Sequence, residues 1–427
     1  MKQKIRQIIF EMRRQPLVGW VTLIATALSV FLFMVVFITQ RVKTVPFAPE
    51  SCRDRLMIGQ FIHVKDINTG NDASGGLGYY CAKQIYEGLD GVERSALMLR
   101  DLDEVPVRGT SASGFQAQMR TVDADFFKIF DHTLLAGRYF TSAEVNSNLH
   151  VAVISESIAR KAFGKTDCVG ETIKINHRKY TVTGVVKDNS FLATSASGDV
   201  FTPYAPPARP TAEDGFFAKY FGNTAVALLV KDGVDFQHIR DQVKARYAEL
   251  ATEIKSEGWT PVYHEQPYDQ ETIALGQQGS NVTPEPSGDS RLRIFFYAIL
   301  LIVPAINLSS LLHSRMQRRV SEIGVRRAYG CTRGRIIADI IWENFLITLA
   351  GGLVGVALGV IFAMTYSDLY ANMDNYGQTL APALSAVINW STVAMAIGVC
   401  FILNIISASI PAWQASRLNP VEAINKK

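Results

Sequence analysis

Leu17–Thr39 is a run of 23 residues without a charged side chain, and three more apolar runs lie near the other end of the chain. Ile294–Leu312 has no charge over 19 residues, Trp390–Trp413 none over 24, and Ile336–Met364 carries only Asp339 and Glu343, near its start. At about 1.5 Å per residue, each is long enough as a helix to cross a hydrocarbon core of about 30 Å. The first run is too long for a cleaved leader, and a cut after Ala25-Thr26-Ala27 would leave the apolar Leu28–Ile38 at the new N-terminus, so a retained anchor is expected. Between the first and second runs lie some 250 residues with no spanning segment, which must therefore fold in water on one side of the membrane. The expected class is a membrane protein with four transmembrane α-helices (17–39, 294–312, 336–364 and 390–413) and a large two-lobed α+β extracytoplasmic domain between the first two.

Charge gives the orientation. Residues 1–16 hold Lys2, Lys4, Arg6, Arg13 and Arg14 against Glu11; the 313–335 loop holds seven arginines against Glu322; the 414–427 tail holds Arg417, Lys426 and Lys427 against Glu422. The other short loop, 365–389, has no basic residue. Basic residues stay on the cytoplasmic side, so both termini and the 313–335 loop are expected inside, and the 41–290 domain outside the inner membrane. That domain has 26 Lys plus Arg against 32 Asp plus Glu, which argues against a nucleic-acid partner. Residues 2–12 place Ile5, Ile8, Ile9 and Met12 on one helical face, the pattern of an amphipathic helix lying along the inner surface.

In the outer domain, Arg55–Val64 reads as a strand, Gly70–Gly78 as a turn, Tyr79–Leu89 as a helix and Val92–Leu99 as a strand. A second such unit follows at Thr224–Val230, Asp235–Lys255 and Trp259–His264. The two units are expected to share one mixed sheet with helices on one face, forming an α/β lobe over about 50–104 and 211–275. The intervening 105–210 contains short β-rich pieces (Val151–Ser155, Thr172–Ile175, Tyr180–Val186) broken by glycines, and reads as an inserted β-rich lobe. Gln277–Asp289, rich in Gly, Ser, Pro and Asn, reads as the linker back to the membrane. Five cysteines show no metal-ligand spacing. Outside the cell a Cys52–Cys81 bridge and two buried free thiols are both open readings.

No catalytic constellation stands out. ARKAFGKT (159–166) fits a loose phosphate-loop pattern, but Arg160, Lys161 and Phe163 lie in an expected helix, Glu156–Phe163, and are too bulky for amides to converge on a phosphate. The seven histidines are scattered, and neither GxSxG nor HExxH occurs. Asp123 and Asp125 precede Phe126 as a helix N-terminus does. Neither a metal nor a catalytic residue is assigned.

The strongest local signal is Ser314–Ile336, SRMQRRVSEIGVRRAYGCTRGRI. Ser321 suits an N-cap with Glu322 in the first turn; Arg326 and Arg327 follow; Gly330 suits a left-handed C-cap, and Thr332 a cap for the next helix. A short amphipathic helix between two corners results. Gly351, Gly355 and Gly359 repeat on one helical face and permit close approach of another helix; a dimer is the expected assembly. Glu343 is a candidate intramembrane acid.

SEIGVRRAYG, AGGLVGVALG (350–359) and IPAWQASRLNPVEAI (410–424) together resemble the permease family that includes FtsX, LolC/LolE and MacB. VDADFFKIFDHTLLAGRYF (122–140), VAVISESIARKAFG (151–164) and VGETIKINHRKYTVTGVVKD (169–188) resemble the MacB-type periplasmic core. The resemblance covers almost the whole chain. It implies the permease subunit of an ABC transporter, with Ser321, Glu322, Ile323, Gly324, Val325, Arg326, Arg327, Ala328 and Gly330 forming the coupling helix that docks on an ATPase. Cys331 stands where the family pattern has alanine. MacB carries its ATPase ahead of its first membrane helix, whereas 16 residues precede it here, so the resemblance implies two copies of a partner ATPase that bind ATP and Mg, with no cofactor held by this chain. It also implies a second permease chain and a periplasmic adaptor or outer-membrane partner. Regulation of cell-wall hydrolases, as in the FtsX branch, and lipoprotein release, as in LolC/LolE, are the alternatives inside the family; a membrane-anchored sensor without ATPase is the alternative outside it.

Overall fold

The computed structural model describes residues 16–284 apart from 111–113, 190–192, 275, 277 and 278, then 331–373, with scattered residues between 295 and 330 and between 394 and 413. It divides into a membrane unit (1–40, 287–366, 387–427) and an outer unit (41–286, 367–386).

In the membrane unit, α1 is Pro16–Thr44. Its buried positions, Thr26, Ala27, Val30, Phe33, Met34 and Ile38, recur at helical spacing, while Trp20, Ile24, Leu28 and Leu32 are exposed on another face. A helix apolar on its exposed face as well as its buried one is suited to lipid, where exposed leucine has no hydration cost. The described residues of 294–312 (Phe295, Ile299, Ile302 and Ile306 among them) and of 390–413 (Val399, Phe401, Ile405 and Trp413 among them) are helical. The 1–16 surface helix, apart from Pro16, and the 414–427 tail lie outside the described residues, as does the 365–389 loop beyond Met373.

The outer unit begins with β1 (Leu56–Gly59) and β2 (Phe61–Asp66), which correct the single strand expected at 55–64. The chain changes sheets at Gln60. Gln266 makes the change possible: its Oε1 accepts from the backbone N–H of Gln60 and Phe61, and its Nε2 donates to the Phe61 carbonyl, replacing a neighbouring strand at the break. The expected turn at 70–78 is also corrected, because Asp72–Gly76 is strand β3, paired with β2 through a tight turn in which Gly70 has φ +72°. Gly76 faces the Gly222 carbonyl too closely for any side chain, so a glycine that reads as a turn residue is a strand residue under backbone.

Next come α2 (Tyr79–Tyr86), β4 (Val92–Leu99), β5 (Asp103–Arg108), β6 (Phe115–Val122), α3 (Phe126–Ile129), β7 (Leu134–Gly137), α4 (Ser142–Asn146), β8 (Val151–Ser155), α5 (Glu156–Phe163), β9 (Thr172–Ile175), β10 (Arg178–Val186) and β11 (Val200–Pro203). The unit continues with α6 (Gly215–Tyr220), β12 (Thr224–Val230), α7 (Phe236–Ile254), β13 (Trp259–Pro261), β14 (Tyr268–Asp269) and α8 (Gln270–Ala274). The first lobe is built from β4–β12–β1–β14, antiparallel throughout, and a separate β13–β2–β3 sheet. The one mixed sheet expected for it is therefore two antiparallel sheets. Its core joins Met57, Leu228 and Val230 to Ile62 and Val64 through Ala82 and Ile85 of α2 and Ile239, Val243 and Leu250 of α7.

The β-rich 105–203 region is a small closed barrel. β6–β11–β8–β10–β9–β5 pair in turn and β5 returns to β6, so no edge in this ring is left open. Val105, Ala117, Ile154, Ile173, Val182 and Val200 fill it, together with Ile158, Ala159 and Ala162 of α5. Residues 159–163 of the loose phosphate-loop match are thus helix, one face of it core, and Gly164 is its left-handed cap at φ +73°. On the other side of the barrel wall an aromatic layer of Phe126, Phe127, Phe130, Phe140 and Phe201 surrounds His132. Burial lowers the His132 pKa from the usual 6.5 to about 3, and the Nδ1 contact with Asn189 Nδ2 at 3.1 Å suits a neutral ring. The unfolded chain takes up this proton below pH 6.5 and the folded chain does not. Stability is therefore full above that pH and falls through the window from 6.5 to 3, by about 1.4 kcal/mol per pH unit for one proton. Urea denaturation of His132→Phe at pH 7, 5.5 and 4 should show a shallower decline than wild type, from a lower level at pH 7 because Asn189 loses its partner.

The Cys52–Cys81 bridge is not formed. Both are free thiols; Cys81 lies fully buried in the first-lobe core, with its thiol pKa pushed up to about 12, and Cys52 lies beside Ser51 and Arg55.

Candidate functional site

The turn at 323–330 is built on the start of a long helix, α9 (Arg333–Met373). This helix outruns the expected 336–364 span because no glycine or proline interrupts 365–373. Ahead of it, Ile323, Val325, Arg326 and Ala328 are helical. Gly330, at φ +87°, reverses the chain: Tyr329 N–H donates to the Val325 carbonyl and Cys331 N–H to the Arg326 carbonyl, both at 3.1 Å, so carbonyls at the end of the turn are satisfied. The Thr332 carbonyl accepts from Ile336 N–H at 3.2 Å, which opens α9. Ile323 is the anchor, buried against Ile336 and Ile340 with Cys331 and Ile337 alongside.

Burying Ile323 leaves the opposite face outward. Val325, Arg326, Ala328, Tyr329 and Gly330 are exposed, with Tyr329 at 89% of its full accessibility. An aromatic ring so exposed on a rigid turn is an unusual surface feature and a suitable contact residue. Tyr329 is absent from the residues singled out by sequence, although its four-residue spacing from Val325 puts both on one helical face. Ser321, Glu322, Gly324 and Arg327 lie outside the described residues, and so does the Glu343 side chain.

The glycine stripe has a partner in its own chain. A Cβ at Gly351 would lie 2.9 Å from the Leu23 carbonyl, one at Gly355 2.5 Å from the Ala27 carbonyl, and one at Gly359 2.9 Å from Met34 Cβ. The stripe seats α1, a helix of the same chain. Three small residues at this spacing let the two helix backbones approach in lipid, where dispersion drives association.

The outer unit holds a second constellation that sequence did not single out. Glu50 and Arg53 are fully buried and paired at 2.6 Å, and Arg120 is fully buried nearby. Glu50 Oε1 accepts from the N–H groups of Ser195 and Ala196 at 2.8 and 2.9 Å, while Arg120 donates to the carbonyls of Ser197 and Thr194. Burial lowers the Arg120 pKa to about 10, opposed by the Glu50 charge. One turn is thereby held by an anion on its amides and a cation on its carbonyls. Asp123 Oδ1 accepts from the N–H groups of Asp125 and Phe126, and burial raises its pKa to about 7. Among the described residues no three His, Cys, Asp or Glu side chains converge as a metal site.

Residues 20–246 match the model of the MacB-like periplasmic core domain, and residues 294–420 that of the FtsX-like permease C-terminal domain. The chain is 27% identical over 294 residues to a macrolide export ATP-binding/permease protein MacB of Bdellovibrio bacteriovorus, covering 68% of this chain and 41% of that one. It is 23% identical over 342 residues to the uncharacterized ABC transporter permease YknZ of Bacillus subtilis, covering 79% and 77%. The crystal structure of the periplasmic region of MacB from Actinobacillus actinomycetemcomitans aligns at a TM-score of 0.34 with 16% identity, over 51% of this chain and 92% of that one.

Proposed function

The chain belongs to the ABC transporter permease family that joins a MacB-like periplasmic core domain to an FtsX-like permease domain, and from this premise we propose that it couples ATP hydrolysis by a separate ATPase subunit to conformational work in the outer domain. Permeases of this family are inner-membrane proteins with a periplasmic domain. Four membrane helices, cytoplasmic termini and assembly with a second permease chain and two ATPase copies complete the proposal. The observation that carries it is the 323–330 turn, anchored by Ile323 on the start of α9 and presenting Val325 and Tyr329 to solvent. A partner pushing on this turn would push directly on α9, because the two are joined by a capped corner of two residues, Cys331 and Thr332. The substrate or cargo is left to the bound chains and molecules that co-purify.

Tyr329→Ala is expected to weaken ATPase co-purification from mild detergent, an anchor ring of this kind being worth about 2 kcal/mol, on the order of 30-fold in affinity. Glu322→Lys combined with Arg326→Glu should abolish it. Retention of the ATPase and of its stimulation by both variants would refute the docking role and leave the membrane-anchored sensor as the better reading.

A further inference from the structure

One face of the β13–β2–β3 sheet is given to the core, and the other carries a row of hydrogen bonds. Ile62 and Val64 of β2 are buried in the first-lobe core, so His63 between them points from the opposite face, as does Ser74 of β3, its register partner. Residues 279–284 reach this face. Ser280 Oγ donates to Ser74 Oγ at 3.1 Å, Thr283 Oγ1 meets His264 Nδ1 at 2.7 Å, and the Gly279 carbonyl accepts from Tyr268 OH at 3.1 Å. His264 Nε2 is 2.6 Å from His63 Nδ1, the two rings are stacked with centroids 4.9 Å apart, and His63 Nε2 is 3.5 Å from Asp72 Oδ1. Both imidazoles are buried.

The row has one consistent proton order. Asp72 favours a proton on His63 Nε2, which leaves His63 Nδ1 to accept from His264 Nε2–H and His264 Nδ1 to accept from the Thr283 hydroxyl; both rings are then neutral. Burial, reinforced by the neighbouring imidazole, holds the His264 pKa below the usual 6.5, so this is the state at neutral pH. A first proton fits without breaking the row, because it can go to His264 Nδ1 while the Thr283 hydroxyl turns to accept. A second has only His63 Nδ1 to go to, which sets N–H against N–H and places two cations side by side out of water. Surrounding charges do not change that. Lys65 stands opposite Asp72 in register, Arg100 lies over the Phe61 ring and pairs with Asp101, Asp269 pairs with Arg240, Glu265 adjoins His264 in sequence, and 276–284 carries no charge. The acids among them can offset charge, but none turns a donor into an acceptor.

We infer that His63 and His264 form a two-proton latch, which holds residues 279–284 on the first lobe while the pair is neutral or singly charged and frees them when both rings are charged. Release adds these residues to the connection that runs on to Ile294–Leu312. With the stretch gone the rings meet water and titrate near the ordinary histidine value of about 6.5. Opening therefore takes up protons and is favoured as pH falls below that value. Where the closed pair is neutral and the open rings are charged, two protons are taken up, and the opening equilibrium rises by up to about a hundredfold per pH unit, against about tenfold for a single group. Exposure of the latch to the external medium rests on the proposed orientation; the latch itself does not.

The test is hydrogen exchange of the full chain in nanodiscs between pH 7.5 and 5.0, read by mass spectrometry on peptides spanning 276–284 and β12 and corrected for the intrinsic pH dependence of exchange. Protection of 279–283 should fall by more than about tenfold within one pH unit below 6.5. β12 should stay protected, which separates release from the general acid loss of stability to which His132 contributes. His264→Gln, whose amide can bond both Thr283 and His63 without titrating, should stay closed down to pH 5.0. Asp72→Asn, at an exposed position, removes the anion that offsets the first proton and should move release to higher pH. Equal protection of the wild-type chain at both pH values, a release no steeper than about tenfold per unit, or a folded His264→Gln chain that opens as wild type does, each overturns the latch. If His264→Gln does not fold, Asp72→Asn decides: a raised midpoint supports the latch and an unchanged one overturns it. None of these readouts involves the ATPase, so failure of the docking proposal leaves them standing.

Discussion

Gly355→Leu is expected to unseat α1 from α9 and leave the full-length chain unstable in detergent, with a large fall in its thermal midpoint. A Cβ alone would stand 2.5 Å from the Ala27 carbonyl and 2.9 Å from Val30 Cβ. Backbone cannot yield as a side-chain tip can, so the effect should exceed the roughly 1–3 kcal/mol of ordinary core overpacking. Alanine at the same position should already be harmful. Leu358→Ala, on the exposed face of the same helix, should be nearly silent, and the contrast identifies a contact rather than a change in helix propensity. If the stripe instead joined two chains, Gly355→Leu would yield a folded monomer, which size measurement in detergent would reveal.

Arg120→Met should destabilise the outer unit by about 3–5 kcal/mol, the cost of removing one member from a buried ionic cluster. The carbonyls of Thr194 and Ser197 would lose their donor, and the Glu50–Arg53 pair would lose a neighbouring positive charge. Met conserves much of the volume, so the loss reports the hydrogen bonds more than the packing. Urea unfolding followed by tryptophan fluorescence and by exchange of the β11 amides would measure it; a change within about 0.5 kcal/mol of wild type, the range of an ordinary surface substitution, would show that the cluster does not hold the turn.

Much of the outer unit was legible. The helix expected at 235–255 is α7, Phe236–Ile254, capped by Asp235, because Phe236, Ile239, Val243, Tyr247, Leu250 and Ile254 recur at helical spacing. Thr224–Val230 and Val151–Ser155 are strands from end to end, each an apolar run bounded by turn residues. The break at Gln60 was not legible, since apolar residues continue across it and the side chain that permits it, Gln266, lies more than 200 residues away. The left-handed Gly330 was legible from the glycine itself, whereas the exposure of Tyr329 was not, because it depends on Ile323 packing against Ile336 and Ile340.

By itself the sequence determined which segments are long and apolar enough to cross a bilayer, which long segment contains none, and where basic residues and a capping glycine concentrate. Hydropathy, charge and capping act locally and sum along the chain, so no knowledge of the fold is needed to read them. Only the tertiary structure decided which faces meet: that the glycine stripe seats α1 of the same chain, that six short strands close into a barrel, and that Glu50 finds its amides 145 and 146 residues away. Such contacts exist only once distant loops have closed, and a buried charge in the sequence looks the same as an exposed one until its partners are in place.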